Sequence, residues 1–369
     1  MVRMSRAEVF DPHEVAIAHV FARTVRRCFL FGQDPLTGKN FDHRKAWIED
    51  YLRSFAASFG IDLLGFAILS NHFHLILRSR PDVVATWDDT EVARRWLSLC
   101  PHRRHTDGSA KEPTESELNT IRRCPVRLAE IRSRLSNISW WMRLLCQRVA
   151  TRSNREDEEN GRFFQDRYKA VRLLDEASLL ACAAYVDLNP IRAAIAETLE
   201  TSDHTSLQRR METLKNETHD ATQDEKQRFP PPATPGPVVP LRGRADRFLA
   251  PLTIDEQIDA AGPCASVSPG RCSDKGFLTL SLVDYLQLLD WTARQIARGK
   301  RGATHHAVPP VLQRLGLEGS AWTELVCDFG QLFATVAGRP SSVDATRSHR
   351  THRRFHIRRR VRELLPAAA

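Results

Sequence analysis

The sequence lacks several features that would each direct its interpretation. None of its eight cysteines forms a C-x-x-C pair, which argues against a zinc ribbon or a disulfide framework. No apolar run approaches the roughly 18–20 residues of a membrane-spanning helix, and the first residues, MVRMSRAEVFDPHEV, lack the apolar core of a secretory signal. No G-x-x-x-x-G-K-S/T phosphate loop is present. These absences favour a cytoplasmic protein whose chemistry does not consume ATP.

Acidic residues are outnumbered. The 369 residues include 54 Lys and Arg against 45 Asp and Glu, which gives a net charge of +9. A basic balance favours polyanionic partners, with nucleic acid the first candidate and an anionic membrane surface the second. Eight arginines lie between Arg347 and Arg362. This tail is expected either to contact DNA without sequence preference or to be a solvated run of charge.

Composition divides the chain into four parts. Residues 1–215 alternate strand and helix patterns, and residues 216–245 contain the Pro-rich, linker-like stretch FPPPATPGPVVPLRGR. Residues 246–340 form a helical unit whose strongest pattern is SLVDYLQLLDWTARQIARG, and residues 341–369 are the Arg-rich tail. The length agrees with two domains or one domain with appendages.

Hydrophobic periodicity in the first part predicts the order strand, helix, strand pair, helix, strand, helix. The strands are read in EVAIAHVFARTVRRCFL, in IDLLGFAIL and HFHLILR joined by a turn at Ser70-Asn71, and in GRFFQDRYKAVRLL. Residues 80–136 are read as a helical insertion. This order predicts an α+β fold: a ferredoxin-like antiparallel sheet with helices on one face, plus the helical insertion and a small C-terminal helical unit.

Two histidines lie in the strongly apolar stretch SNHFHLIL. The period of two along a strand places His72, His74 and Ile76 on one face. Burying imidazole nitrogens without partners is costly, so the two rings either have structural partners or share a ligand. Two imidazoles on one face suit a single divalent metal ion.

A tyrosine and an asparagine lie four residues apart in the predicted helix LLACAAYVDLNP. Residues at this spacing share a helix face, so the Tyr185 phenol and the Asn189 carboxamide can point to the same place. The alternative is structural: Tyr185 half-buried in a core, and Asn189 capping a helix that begins at Pro190.

The stretch GRFFQDRYK places aromatic and basic residues side by side. Arg162, Arg167 and Lys169 suit phosphate groups, and Phe163, Phe164 or Tyr168 suit stacking on bases. The alternative is an amphipathic edge strand, and the two readings are compatible.

Taken in order, the motifs HVFARTVRR, LLGFAILSNHFHLIL, GRFFQDRYK and YVDLNPIRA resemble the single-tyrosine HUH transposases, and most of all their REP-associated tyrosine transposase branch. The resemblance covers roughly residues 14–210, interrupted by the insertion. NHFHLIL matches the family's strand with two histidines, and YVDLNP matches its helix with a nucleophilic tyrosine and a polar metal ligand. The family's Pro-Asn turn is Ser70-Asn71 here, and the insertion and the C-terminal unit lie outside the minimal family fold.

The resemblance implies cleavage and joining of single-stranded DNA near hairpins or palindromic repeats, in the nucleoid of a bacterial cytoplasm. It implies that Tyr185 attacks the phosphodiester to form a 5′-phosphotyrosine, and that His72, His74 and Asn189 bind Mg²⁺ or Mn²⁺. Because metal-binding histidines must be neutral, activity is expected to fall below roughly pH 6. The implied nucleic-acid-binding residues are Arg23, Arg162, Gln165, Arg167, Tyr168 and Lys169.

Other functions fit parts of the pattern. A non-catalytic or domesticated regulator on the same fold would hold hairpin DNA without cutting it. A replication initiator or relaxase would share the histidine pair, but usually places its tyrosine motif before the histidines or far from them. Among the four tyrosines, Tyr168 is the rival nucleophile, although it lacks a metal-ligand partner four positions later. Both a monomer and a homodimer agree with the sequence.

Overall fold

A computed structural model of the chain describes Asp11 and residues 13–226, 244–255, 262–297, 308–348 and 355–365. The strands within these ranges are β1 (Ile17–Arg23), β2 (Ile61–Ile68), β3 (His72–Ser79), β4 (Lys169–Leu173) and β5 (Val336–Ala337). The α-helices are α1 (His43–Ser58), α2 (Pro81–Ala85), α3 (Asp89–Leu99), α4 (Glu115–Arg122), α5 (Pro125–Leu135), α6 (Ile138–Glu156), α7 (Glu176–Asp187), α8 (Asn189–Arg192), α9 (Ser206–Lys226), α10 (Leu282–Ala297), α11 (Pro310–Arg314), α12 (Gly319–Cys327), α13 (Phe329–Leu332), α14 (Pro340–Ser348) and α15 (Arg359–Leu364).

The strands form one sheet in the order β2-β3-β1-β4-β5. The first four are antiparallel to their neighbours, and β5 pairs with β4 in parallel. The chain is therefore a mixed α and β protein with a mixed five-stranded sheet, which agrees with the predicted α+β class. The ferredoxin-like arrangement stays a prediction.

Helices cover both faces of the sheet, so the prediction of helices on one face only is wrong. On the first face, alternate residues such as Val20 and Leu75 pack in one hydrophobic cluster with Leu52 of α1 and Trp141 of α6. On the second face, residues such as Ile76 belong to another cluster that includes α7 and the C-terminal helices. The alternation of side chains along a strand explains why neighbouring residues enter different cores.

Two predicted strands are shorter than expected. β1 ends at Arg23, and shortly after it Arg26 and Arg27 have positive φ angles of 50° and 60°, which an extended strand does not adopt. The predicted strand over GRFFQDRYKAVRLL keeps only β4. Of its first half, Phe164 forms an isolated bridge with Thr24, while residues 161–168 are otherwise irregular. The basic and aromatic residues before β4 therefore lie on a loop at the sheet edge.

The C-terminal unit packs directly on the second face. A buried hydrogen-bond network joins the two parts at Asp187, whose carboxylate accepts from Ser206 Oγ and from Tyr285 Oη, both at 2.7 Å. Burial raises the pKa of this carboxyl group, while the two hydroxyl donors oppose that shift. Such a network stabilises the protein only while every member keeps its partner.

The described parts of the linker and tail differ from their composition-based predictions. α9 extends to Lys226, so the predicted linker boundary at residue 216 falls inside a helix, and the Pro-rich stretch lies outside the described residues. In the tail, Val361 and Leu364 of α15 are buried in the second-face cluster. Among the described residues, no helix is long and apolar enough to cross a membrane.

Candidate active site

The two histidines of β3 lie side by side on the second face. Their ring centroids are 4.9 Å apart with the rings nearly perpendicular. His74 is buried, with 2% of its surface exposed, and His72 is half-buried at the start of the strand. The period-two prediction for this strand is confirmed, because Phe73 and Leu75 pack into the opposite core.

A third histidine, His19, completes this group, and the sequence reasoning missed it. His19 of β1 is 1% exposed, and its Nε2 lies 2.8 Å from Nδ1 of His74. The same alternation places His19, Phe21 and Arg23 on the second face, and the register sets Phe21 opposite His74. That alternation in IAHVFAR was the available signal, but the pairing of β1 with β3 was needed to interpret it.

Tyr185 of α7 contacts two of these histidines. Its ring meets His74 edge-on at 5.4 Å and His19 edge-on at 5.7 Å between centroids. Asp175 fixes the start of the helix, because its carboxylate accepts from the backbone N–H of Ser178 at 2.9 Å. Tyr185 is half-buried. The structure thus brings together three of the four predicted catalytic and metal-binding side chains and adds His19.

Hydrogen bonds fix the tautomer of His72. Asn71 Nδ2 donates to the Arg27 carbonyl at 3.0 Å, so the Asn71 oxygen is the atom that faces His72 Nδ1 at 2.6 Å. A carboxamide oxygen only accepts, which requires the proton of neutral His72 to be on Nδ1. Its Nε2 then carries a lone pair, the form in which histidine binds a metal ion.

All three histidines are neutral near pH 7. Burial lowers the pKa of His72 to about 4, with the Arg23 charge adding to the effect. Burial, followed by the charge of His72, lowers the pKa of His19 to about 3. Burial is also the main reason that the pKa of His74 lies well below 6.5. Neutral rings have lone pairs to offer, so their electrostatic setting suits metal binding.

Two of the predicted ligand residues have a buried polar atom without a hydrogen-bond partner. His74 Nε2 and the Asn189 amide Nδ2 are both buried without a hydrogen-bond partner. The oxygen and nitrogen of an amide are interchangeable by a flip, so Asn189 can offer its oxygen instead. His19 Nε2 and His74 Nδ1 share one proton, and in the tautomer that places it on His74, Nε2 of His74 offers a lone pair.

The third ligand would have to be an amide rather than a carboxylate. Within the described residues, no group of three or more His, Cys, Asp and Glu side chains is placed to hold a metal ion. Asp187, two residues before Asn189, is already bound by Ser206 and Tyr285. Two imidazoles and one amide are not the closed set of four Cys and His ligands that is typical of a structural zinc site. The identity of the metal stays a prediction.

A basic concave surface lies beside the histidines. Arg23 is opposite His72 in the β1–β3 register, which places this surface next to the site. Gln165, Arg167 and Lys169 are exposed, and Arg23 is half-buried. Cationic side chains around a concavity attract phosphate groups. The residues that line it are Phe21, Ala22, Arg23, Gln165, Asp166, Arg167 and Lys169.

Two of the predicted nucleic-acid-binding residues lie outside this concavity. Arg162 is exposed but does not line it, and Tyr168 Oη lies 2.7 Å from Ser139 Oγ of α6. Of the three alternatives for stacking on bases, Phe163 is excluded, because it is 4% exposed and its ring packs against that of Phe31 at 5.6 Å between centroids. Because this half of GRFFQDRYK is anchored in the first-face core, its aromatic residues serve packing.

No protein-family model and no curated protein matches this chain. A solved structure of a REP-associated tyrosine transposase bound to a REP hairpin aligns with 66% of this chain and 96% of its own, at 9% identity and a TM-score of 0.31. A score of this size does not establish a common fold. The site is therefore interpreted from its own residues.

Proposed function

We propose that this protein is a tyrosine-dependent DNA strand transferase that cleaves and rejoins single-stranded DNA. The observation that carries the proposal is the contact between the rings of Tyr185 and His74, whose centroids are 5.4 Å apart. The imidazole of His72 lies next to that of His74. The motif order that resembles the HUH transposases supports the same function. Hairpin or palindromic DNA as the substrate follows from that resemblance.

Tyr185 is the nucleophile in this proposal. Its phenol loses its proton and the oxygen bonds to phosphorus as the bond to the 3′ oxygen breaks, and the 3′ oxygen takes up a proton to become a hydroxyl. The 5′-phosphotyrosine ester keeps the energy of the broken bond, so a second 3′-hydroxyl can reverse the step without ATP. A phenol is a poorer nucleophile than a thiolate but a better leaving group than an alkyl alcohol, which suits a reversible step.

The surrounding residues bind and orient the DNA. Arg23, Arg167 and Lys169 would hold the phosphates on either side of the scissile bond. His72, His74 and Asn189 would hold Mg²⁺ or Mn²⁺, which when bound would neutralise charge that develops on the phosphate. Asn71 and His19 keep the two histidine rings in fixed orientations through their hydrogen bonds at 2.6 and 2.8 Å.

The test is cleavage of a labelled single-stranded hairpin, taken from the DNA that flanks the gene, with Mn²⁺ present. Wild type is run on a denaturing gel beside Tyr185→Phe, His72→Ala and Tyr168→Phe. We expect a protein-linked DNA band in wild type and Tyr168→Phe, and none in the other two. Loss of the band in Tyr168→Phe alone would make Tyr168 the nucleophile. Hairpin binding by all four proteins with no band would indicate a DNA-binding regulator.

A further inference from the structure

The C-terminal unit reaches the candidate nucleophile through Phe329. This side chain is fully buried at the start of α13, and its ring stacks on Tyr185 with centroids 5.5 Å apart and an angle of 29°. The same ring meets His19 edge-on at 5.8 Å. One residue of the C-terminal unit therefore touches both Tyr185 and the histidine that holds His74.

The residue after Phe329 lies against the tyrosine hydroxyl. A Cβ atom added to Gly330 would be 3.4 Å from Tyr185 Oη, so the α13 backbone passes next to the reacting oxygen. A Cβ at this distance is in ordinary van der Waals contact with the hydroxyl, so a branched side chain would place further atoms around it. The glycine keeps the space beside it open.

A third contact ties the same segment to the tyrosine. The Arg192 guanidinium of α8 lies 4.8 Å from the centre of the Tyr185 ring, and the same group donates to the carbonyl of Cys327. Cys327 ends α12, two residues before Phe329. The Tyr185 ring is thus held by Phe329 and Arg192, while its hydroxyl faces Gly330.

We infer that Phe329 is a positioning residue for Tyr185, and that residues 327–330 of the C-terminal unit are part of the active site. This inference rests on the proposed function. A tyrosine side chain can rotate about χ1 and χ2, and stacked aromatic neighbours restrict these rotations. Restriction matters because a nucleophile displaced by about 1 Å from its attack position can lose on the order of 100-fold in rate.

A matched pair of variants in the full-length chain tests the inference. Phe329→Leu removes the stacked ring. Phe333→Leu makes the same change in the ring that packs on Phe329 at 4.8 Å, so it removes comparable packing next to Phe329 and leaves the ring that stacks on Tyr185 in place. Phe329→Tyr keeps an aromatic ring, and Gly330→Val adds bulk beside Tyr185 Oη without opening a cavity.

The measurements are the single-turnover rate of the covalent band at saturating hairpin DNA, the DNA Kd, and the melting temperature. We expect about 10- to 100-fold slower adduct formation in Phe329→Leu and in Gly330→Val, with an unchanged Kd. Phe333→Leu should lower the melting temperature about as much as Phe329→Leu but keep the wild-type rate. Phe329→Tyr should react at close to the wild-type rate.

Three results would overturn the inference. Equal rates in wild type, Phe329→Leu and Gly330→Val would show that the segment does not position Tyr185. Faster adduct formation in Phe329→Leu would make the segment an obstruction instead. Equal slowing in Phe329→Leu and Phe333→Leu would show that the contact affects the rate only through general stability. A wild type that forms no adduct is a separate result, because it refutes the proposed function first and this inference with it.

Discussion

The buried histidine pair predicts a specific pH dependence of stability. In the metal-free protein, burial lowers the pKa of His19 to about 3, whereas an unfolded histidine has a pKa near 6.5. Between these values the unfolded chain binds a proton that the folded chain does not bind. The contribution of His19 to the free energy of unfolding is therefore complete above about pH 6.5 and is lost as the pH falls towards 3.

The magnitude follows from the two pKa values. Integrated from about pH 7.5 to about pH 5, one such histidine removes about 2 kcal/mol from the free energy of unfolding. The substitution His19→Gln should abolish this contribution to the pH dependence of the free energy of unfolding. Glutamine suits the purpose because its amide group can still bond to Nδ1 of His74, which is 2.8 Å from His19 Nε2 in the native protein.

The assay is urea unfolding with a chelator present, followed by tryptophan fluorescence at both pH values. Trp141 is fully buried in the first-face core, so its fluorescence changes when this core unfolds. We expect wild type to lose about 2 kcal/mol more than His19→Gln on acidification. Titrating groups away from this histidine cluster are common to the two proteins and cancel in this difference, whereas His74 also loses the effect of the His19 charge on its pKa. Equal losses would refute the reasoning, since they would mean that native His19 titrates like an exposed imidazole.

Two further predictions concern the metal site and the DNA surface. Asn71→Ala removes the acceptor for His72 Nδ1, so the Mn²⁺ affinity measured by titration calorimetry should fall about 10- to 100-fold. Ser70→Ala, in the same turn, should bind Mn²⁺ as wild type does. Equal affinities in all three proteins would mean that His72 needs no such partner. Arg167→Ala and Lys169→Ala should each lower the slope of log binding constant against log salt concentration for single-stranded DNA by about one, whereas Lys111→Ala on the insertion should not. The reverse result would indicate that the DNA lies along the insertion.

The expected loss of activity below roughly pH 6 came from the ordinary pKa of histidine. The structure moves that expectation to lower pH, because burial lowers the pKa of His72 to about 4 and that of His74 well below 6.5. Sequence alone could not supply this correction. It depends on how completely the C-terminal unit and α7 cover the second face.

Features set by neighbouring residues were predictable. The β2–β3 hairpin, the shared face of His72 and His74, and the helix that Asp175 caps all follow from local periodicity and turn chemistry. Features set by distant pairing were not. His19 becomes a partner of His74 only through the β1–β3 register, and the truncation of the fourth strand follows from residues before it that anchor in another core.

The prediction of helices on one face failed for a reason that α7 already contained. Ten of its twelve residues are buried, and its sequence EASLLACAAYVD has no polar stripe. A helix that is apolar all round needs cover on every side. The sheet covers one side of α7, and Trp322, Leu325 and Phe329 belong to the same hydrophobic cluster. Since α7 carries Tyr185, the residues that complete its burial necessarily approach the candidate nucleophile. Removal of the C-terminal unit should therefore expose α7 and release Tyr185 together.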